Sequence, residues 1–389
     1  MNEDIKTGVV LNVKDINQAS IFKLILKNGP ISRKGLTAIT DFSRATITNH
    51  VNRLIDNGYV IETEKGYSTG GRKPVYLKVN SHKSYILVIS FYITTVELGL
   101  FNLQFELINK LKIKINSAPK EMITEVLQNI ETIVSREKLP WNKIIGIGVS
   151  MPGIVDEEKK SLVFAPNLGW RNIEIASLIH EKYDIPIIVE NEANAAAVGE
   201  KVFSEISASS LVYVSINEGV GCGIIIGDNL YQGITGNAGE FGHIVLENEG
   251  RNCHCGQKGC WETAASEKFI VEKIKESLQI SLKIEEVYSL AADGDDKAIE
   301  ILQETGRNIG RGLLNILYSL NPEYVIIGGN IVKARKFISQ AIADVLAADS
   351  LPNFSEQTIL RFSELGDSAV SYGMAQLIFD QHFHLIDSK

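Results

Sequence analysis

Three of the four cysteines in this 389-residue chain fall within eight residues of one another, as Cys253-x-Cys255-x4-Cys260, and His243 stands shortly before them. Thiolates and an imidazole suit a tetrahedral zinc ion, and four protein ligands make a closed, structural site. Gly256 and Gly259 permit the tight turns such a loop needs. A redox pair fits the spacing poorly, because C-x-C and C-x4-C are not C-x2-C. His254 is the competing fourth ligand, but it lies between two others and would have to bend back. The expectation is one structural zinc held by His243, Cys253, Cys255 and Cys260. Cys222 stands apart and reads as a buried small residue.

A chain of this length holds about two or three domains. With 44% apolar and 22% charged residues, disorder is excluded as its main state. The longest nearly apolar run, Ile144 to Val155, is broken by Gly and Pro. It falls short of the roughly 20 residues that span a bilayer. Met1 to Ser20 has no apolar centre and does not read as a signal peptide, so the cytoplasm is the expected compartment. The net charge of −8 conceals an asymmetry. Residues 1–80 hold 12 Lys/Arg against 7 Asp/Glu, whereas the rest holds 27 against 40. A basic head on an acidic body points to a nucleic-acid module joined to something else.

The head predicts a winged helix-turn-helix over 1–80. Ile21, Leu24 and Ile25, with Ile16, give one helical face before Asn28-Gly29-Pro30 ends it. Ser32 caps a short helix with Leu36 and Ile39 inward. Ser43 caps a third, with Ile47, Val51, Leu54 and Ile55 at helical spacing and Gly58 as its stop. The other face of that helix carries Arg44, Thr46, Thr48, Asn49 and Arg53, which suit base edges and phosphates in a major groove. Two strands follow, 60–63 and 75–79, joined by a loop with Gly70-Gly71-Arg72-Lys73-Pro74, a wing whose Arg72 and Lys73 would lie along DNA. Ser43, at the helix start, completes the expected DNA-contacting set.

From Tyr85 onward strands alternate with helices. Three meandering strands and then alternating units suggest an α/β fold with ligands at strand ends. No repeat is visible in the sequence.

The segments "ILKNGPISRKGLTAITDFSRATITNHVNRLIDNGYV" and "GGRKPVYLKV" resemble the DNA-binding head of repressors in the ROK family, which groups repressors, open reading frames and sugar kinases. The strings "GNAGEFGHIVL" and "CHCGQKGCWE" resemble that family's signature, and the resemblance covers essentially the whole chain. It implies an α/β body of two lobes, actin-like and sugar-kinase-like. The implied lobes are 81–192 plus 365–389, and a larger lobe, 193–364, with the zinc loop and a dimerisation surface. It also implies sugar-binding groups at Asn191, Glu192, Glu240, His243 and Glu262, with His243 facing the metal through one ring nitrogen and the sugar through the other. Such a set suits a polyol, because each carboxylate accepts two hydroxyls and unpaired polar groups penalise a missing one. The competing reading of Asn191 and Glu192 is a helix cap before Ala193, and Trp170 reads as either a pocket wall or a core residue.

The family's kinases carry an Asp-x-Gly-x-Thr-like phosphate loop after the first body strand. Here the aligned stretch is Ser90-Phe91-Tyr92-Ile93-Thr94, so the acid is lost and bulky side chains replace glycine. Glu218 brings a negative charge to the second phosphate loop, where it would repel ATP. Glu192 replaces the kinases' Asp in "NEAN" and could still serve as a base. The resemblance, strongest to xylose-responsive members through "ENEANAAA", therefore implies a repressor without enzyme activity. Its partners would be a palindromic operator and a monosaccharide effector, acting on a homodimer or homotetramer. The competing expectations are an active sugar kinase with a fused DNA-binding head, a protein-interaction scaffold, or a repressor answering to glucose or N-acetylglucosamine.

Overall fold

The computed structural model describes residues 13–63, 75–204, 206–349, 351 and 357–383. The head comprises α1 (Val13–Asn28), β1 (Ile31–Ser32), α2 (Arg33–Ala38), α3 (Arg44–Asp56), β2 (Val60–Thr63) and β3 (Tyr76–Val79). Its strands form an antiparallel sheet in the order β1-β3-β2. Ile21, Phe22, Ile25, Leu36, Ile47, Val51, Leu54 and Leu77 are buried together as its core. Ser32 and Ser43 cap α2 and α3, their hydroxyls accepting from Gly35 N and Thr46 N at 3.1 Å each. Gly58, at φ 76°, takes the left-handed position after α3. One expectation fails: Ile39 is 51% exposed. The helix stops at Ala38, and Ile39, at φ −107°, leaves the helical path before its side chain can turn inward. Arg72 and Lys73 lie outside the described residues, although β2 and β3, which would carry the wing, pair in register from Val60–Val79 to Thr63–Tyr76.

The body begins with β4 (Tyr85–Phe91), β5 (Thr95–Asn102), β6 (Leu107–Lys114), α4 (Pro119–Arg136) and β7 (Ile144–Met151). β8 (Ile154–Asp156), β9 (Ser161–Ala165) and β10 (Trp170–Ile173) form a small antiparallel sheet, in strands too short to show a period of two. α5 (Ile175–His180), β11 (Ile187–Asn191) and α6 (Glu192–Phe203) complete the first half. The second half holds β12 (Ser210–Ile216), β13 (Val220–Ile226), β14 (Asn229–Leu230), α7 (Glu262–Ala265), α8 (Glu267–Leu278), α9 (Ile284–Ala292) and α10 (Asp296–Leu320). It ends with β15 (Tyr324–Gly328), α11 (Arg335–Asp349), β16 (Ile359–Phe362) and α12 (Ser368–His382).

The two five-stranded sheets share one plan. Read in order they are β11-β7-β4-β5-β6 and β16-β15-β12-β13-β14. Each is an antiparallel meander of three strands followed by two parallel additions beside the first. The body is thus an internal duplication, although the sequence shows no repeat.

Each half sends its last helix across the boundary. α6 packs on β12 and β13, whereas α12 packs on β4 and β7. The two helices also pack on each other, backbone to backbone. A Cβ on Gly373 would stand 1.7 Å from the Ala195 carbonyl oxygen, and one on Gly199 2.0 Å from that of Ala369. Only glycine permits this approach.

α12 also holds the head. Phe22 of α1 stacks on Phe379 with centroids 5.7 Å apart and meets Phe383 at 4.7 Å. Tyr59 Oη lies 3.0 Å from His382 Nε2, and Lys23 pairs with Asp380 at 3.0 Å. Among the described residues no helix is long and apolar enough to cross a membrane.

Candidate functional site

His243 ends a short helical turn, Glu240–His243, that opens at Gly239 with φ 92°. Its ligand atom and those of Cys253, Cys255 and Cys260 all lie within 4.8 Å of one another. Cys253 Sγ is 3.5 Å from His243 Nδ1, and Cys255 Sγ is 3.6 Å from Cys260 Sγ. Sulfur ligands about 2.3 Å from a tetrahedral zinc stand about 3.8 Å apart, so this donor set fits one ion of that kind. His254 is exposed and sits 3.2 Å from Lys268 Nζ, outside the group. The loop is held from both sides. A Cβ on Gly259 would meet the Glu247 carbonyl oxygen at 1.6 Å. Arg251 forks to Glu272 at 2.7 Å and Glu276 at 2.8 Å, pinning the loop to α8.

The other ring nitrogen of His243, Nε2, faces Glu240 Oε2 at 3.6 Å. Glu240 in turn borders a cavity between the lobes, together with Gly153, Asn191, Asn194, Cys222 and Asn237. Asn191 both caps α6 and lines this cavity. Its Oδ1 accepts from Ala193 N at 2.8 Å and its Nδ2 donates to the Gly153 carbonyl at 2.8 Å. Glu262 stands beside the metal loop. Its Oε2 accepts from Val220 N at 3.2 Å and its Oε1 from the Cys253 thiol at 3.6 Å. Burial raises the Glu192 carboxyl to about 7, with a hydrogen bond from Asn217 opposing and Asp367 adding to the rise. The five expected residues therefore divide: Asn191 and Glu240 border the cavity with His243 behind Glu240, Glu262 braces the β12–β13 loop, and Glu192 turns to Asn217. Cys222 is buried as expected but also borders the cavity. Trp170 is a core residue, buried edge-on against Phe91 at 5.7 Å.

Sequence reasoning missed Glu190, which is 3% exposed at the end of β11. It accepts from Asn191 N at 2.7 Å, Asn194 Nδ2 at 2.9 Å and Gln232 Nε2 at 2.7 Å. Gln232 also donates to Glu157. Burial, and then the charge of Glu157, raise the Glu190 carboxyl above its usual range. The run Glu190-Asn191-Glu192-Ala193-Asn194 at a strand-to-helix junction carried the signal, since a carboxylate closing a buried strand must find donors.

Around the stretches that resemble phosphate loops, the protein's own groups contact one another. Tyr92 Oη donates to the Asp367 carbonyl at 3.3 Å. Ser90 is buried opposite Ser150 of β7. The loop after β12 is strapped down, its Asn217 accepting from Glu267 N at 2.8 Å and Asn330 N at 2.7 Å. Glu262 Oε2 would lie 2.6 Å from a Cβ on Gly219, so a carboxylate occupies the glycine's open side.

On α3 the described faces separate cleanly. Ile47, Val51 and Leu54 are buried, whereas Arg44, Thr48, Asn49 and Arg53 are exposed. Ser43 and Thr46 are tied into the cap, their hydroxyls 2.9 Å apart.

Comparison with known proteins separates the chain into the same head and body. Residues 89–381 match the model of the ROK family, and residues 14–61 match that of a winged helix-turn-helix DNA-binding domain. The chain is 34% identical to the xylose repressor of Bacillus subtilis, over 96% of this chain and 97% of that protein. It is 26% identical to the DNA-binding transcriptional dual regulator NagC of Escherichia coli, over 92% and 91%. Among solved structures, a ROK family transcriptional regulator homologous to the E. coli MLC protein superposes with a TM-score of 0.83 at 28% identity, covering 96% of this chain and 98% of that one. A ROK family glucokinase from Streptomyces griseus, solved with glucose and AMPPNP, superposes with a TM-score of 0.67 at 24% identity, covering 76% and 99%. It shares the fold of the body.

Proposed function

The chain belongs to the ROK family, and we propose that it is a repressor whose hold on operator DNA is set by xylose. It is a sugar-responsive DNA-binding repressor by the company it keeps: relatives that match it along head and body together include proteins named xylose repressor and N-acetylglucosamine repressor. The observation that carries the finer reading is the match to a xylose repressor over 96% of the chain, which takes in the reading helix and the cleft at once.

In this reading the sugar sits in the interlobe cleft, contacted by Asn191, Glu192, Glu240, His243 and Glu262. Its lobes are 81–192 plus 365–389, and 193–364. Zinc on His243, Cys253, Cys255 and Cys260 holds the wall that carries Glu240 and Glu262, and supplies structure only. α3 enters a major groove with Arg44, Thr48, Asn49 and Arg53, while Ser43 and Thr46 start the helix beside the phosphates and Arg72 and Lys73 follow from the wing. Two copies read a palindrome. Kinase turnover is lost. The support for this is Tyr92 standing over the Asp367 carbonyl, and Glu262 taking the Val220 N–H that a phosphate would need.

The test is operator binding across a salt series, with and without xylose, glucose and N-acetylglucosamine. Xylose should change the affinity, and it can do so only if it prefers one of the two states. A wild-type protein whose melting temperature and operator affinity respond to no monosaccharide would sink the reading.

A further inference from the structure

Asn194 is 2% exposed and borders the cleft cavity. Its Nδ2 donates to Glu190 Oε1 at 2.9 Å. Its Oδ1 is buried and has no hydrogen-bond partner among the described residues. Buried acceptors without donors are rare, and one on a cavity wall marks a place where a donor belongs. The amide has no freedom to turn round. Glu190 already accepts from Asn191 N and Gln232 Nε2, so it presents acceptor oxygens and draws the NH2 end of Asn194 toward itself. The oxygen is left as the unpaired end of a side chain that lines the cavity.

The third member of this chain comes from the lobe opposite Glu190. Gln232 follows β14 and reaches across to Glu190 at 2.7 Å, and to Glu157 beside it. Its carbonyl accepts from Ala238 N at 3.0 Å, so it also closes the base of the segment that forms the far cavity wall, from Gly236 to Glu240. Both walls are therefore connected through Glu190. A ligand wedged between them, rich in hydroxyl donors and already facing the acceptors of Asn191 and Glu240, would find Asn194 Oδ1 unpaired.

Resting on the sensor reading above, we propose that Asn194 is a further effector-contact residue whose Oδ1 accepts one hydroxyl of the bound monosaccharide. Glu190 and Gln232 are its positioning residues, holding the amide from the two lobes. A site that hydrogen-bonds a hydroxyl rejects an analogue lacking it, and that selectivity is what separates a contact from a structural role.

The experiment measures binding of xylose and its 2-, 3- and 4-deoxy analogues to the full-length wild type, Asn194→Ala and Gln232→Ala, by calorimetry. On the wild type, loss of the contacted hydroxyl should weaken binding by about tenfold. On Asn194→Ala that one analogue should bind within about twofold of xylose, while the other analogues keep their wild-type penalties. Gln232→Ala, which removes the tie from Gln232 to Glu190, should blunt discrimination against the same analogue. If Asn194→Ala fails to fold, the Gln232→Ala comparison decides alone. Unchanged penalties for all three analogues on the folded variants would overturn the assignment. A wild type that binds no sugar would instead remove the sensor reading on which it rests.

Discussion

Glu192, at the start of α6, shows how one carboxyl ties the stability of this fold to pH. Its pKa rises from 4.5 to about 7 in the folded protein, chiefly by burial. A raised acid keeps its proton in the fold after the unfolded chain has released it. Its contribution to stability is thus complete below 4.5 and is lost as pH rises through about 7. Replacing it by glutamine removes the titration. The melting temperature of Glu192→Gln should therefore fall less than that of wild type between about pH 5 and about pH 7.5, by roughly 2–4 °C, in a thermal denaturation series. Parallel curves would dismiss the assignment. At the reading helix, Asn49→Ala should cost about 1–3 kcal/mol on the preferred operator if Asn49 makes a bidentate base contact, and little on random DNA. Competition binding with both DNAs checks this. These residues differ in how legible they were. Asn49 stood out because the buried stripe of Ile47, Val51 and Leu54 fixes which way it must face. Asn194 did not, because its meaning lies in Glu190 and Gln232, the latter 38 positions away and reached only through the fold.

Among elements, the metal loop was the most legible, since four ligand types at fixed spacing point to one chemistry before any coordinate is known. Purified protein should carry about one zinc per chain by elemental analysis. Cys255→Ser should lower thermal stability and sugar affinity together, because the wall bearing Glu240 and Glu262 loses its anchor. A zinc-free protein with full sugar response would remove the metal from the account. The winged head was equally readable from its caps, where Ser32 and Ser43 each accept from the third residue on. β8 and β16 were not, having three and four residues apiece, too few for alternation to show. α12 was missed for a different reason. It is apolar nearly all round, burying Val370, Met374, Ile378 and Phe379 between sheet, helix and head, so it lacks the polar stripe that reveals an amphipathic helix. The duplication of the body was invisible too, because a shared strand order constrains hydrogen bonding rather than side-chain identity.

At the scale of the molecule, the interlobe cleft and the head are joined through two exchanged helices. α6 starts at the cleft, α12 crosses it at Gly373 and Gly199, and the far end of α12 meets Phe22 and Tyr59 of the head. Tyr59→Phe removes the hydroxyl beside His382 and little else. It should leave xylose binding intact yet reduce the factor by which xylose changes operator affinity, read from paired titrations. An undiminished factor would show that the signal travels by another route. The glycine contact has a mechanical consequence. It works as a fulcrum within α12, with roughly 15 Å of rod between Gly373 and Phe383, at the far edge of the aromatic seat of the head. A tilt of about 5° at that fulcrum swings the seat by more than about 1 Å, while hydrogen bonds to base edges tolerate only a few tenths of an ångström. The cleft need hardly move. A small closure there would be geared up along the rod into a larger displacement of the head.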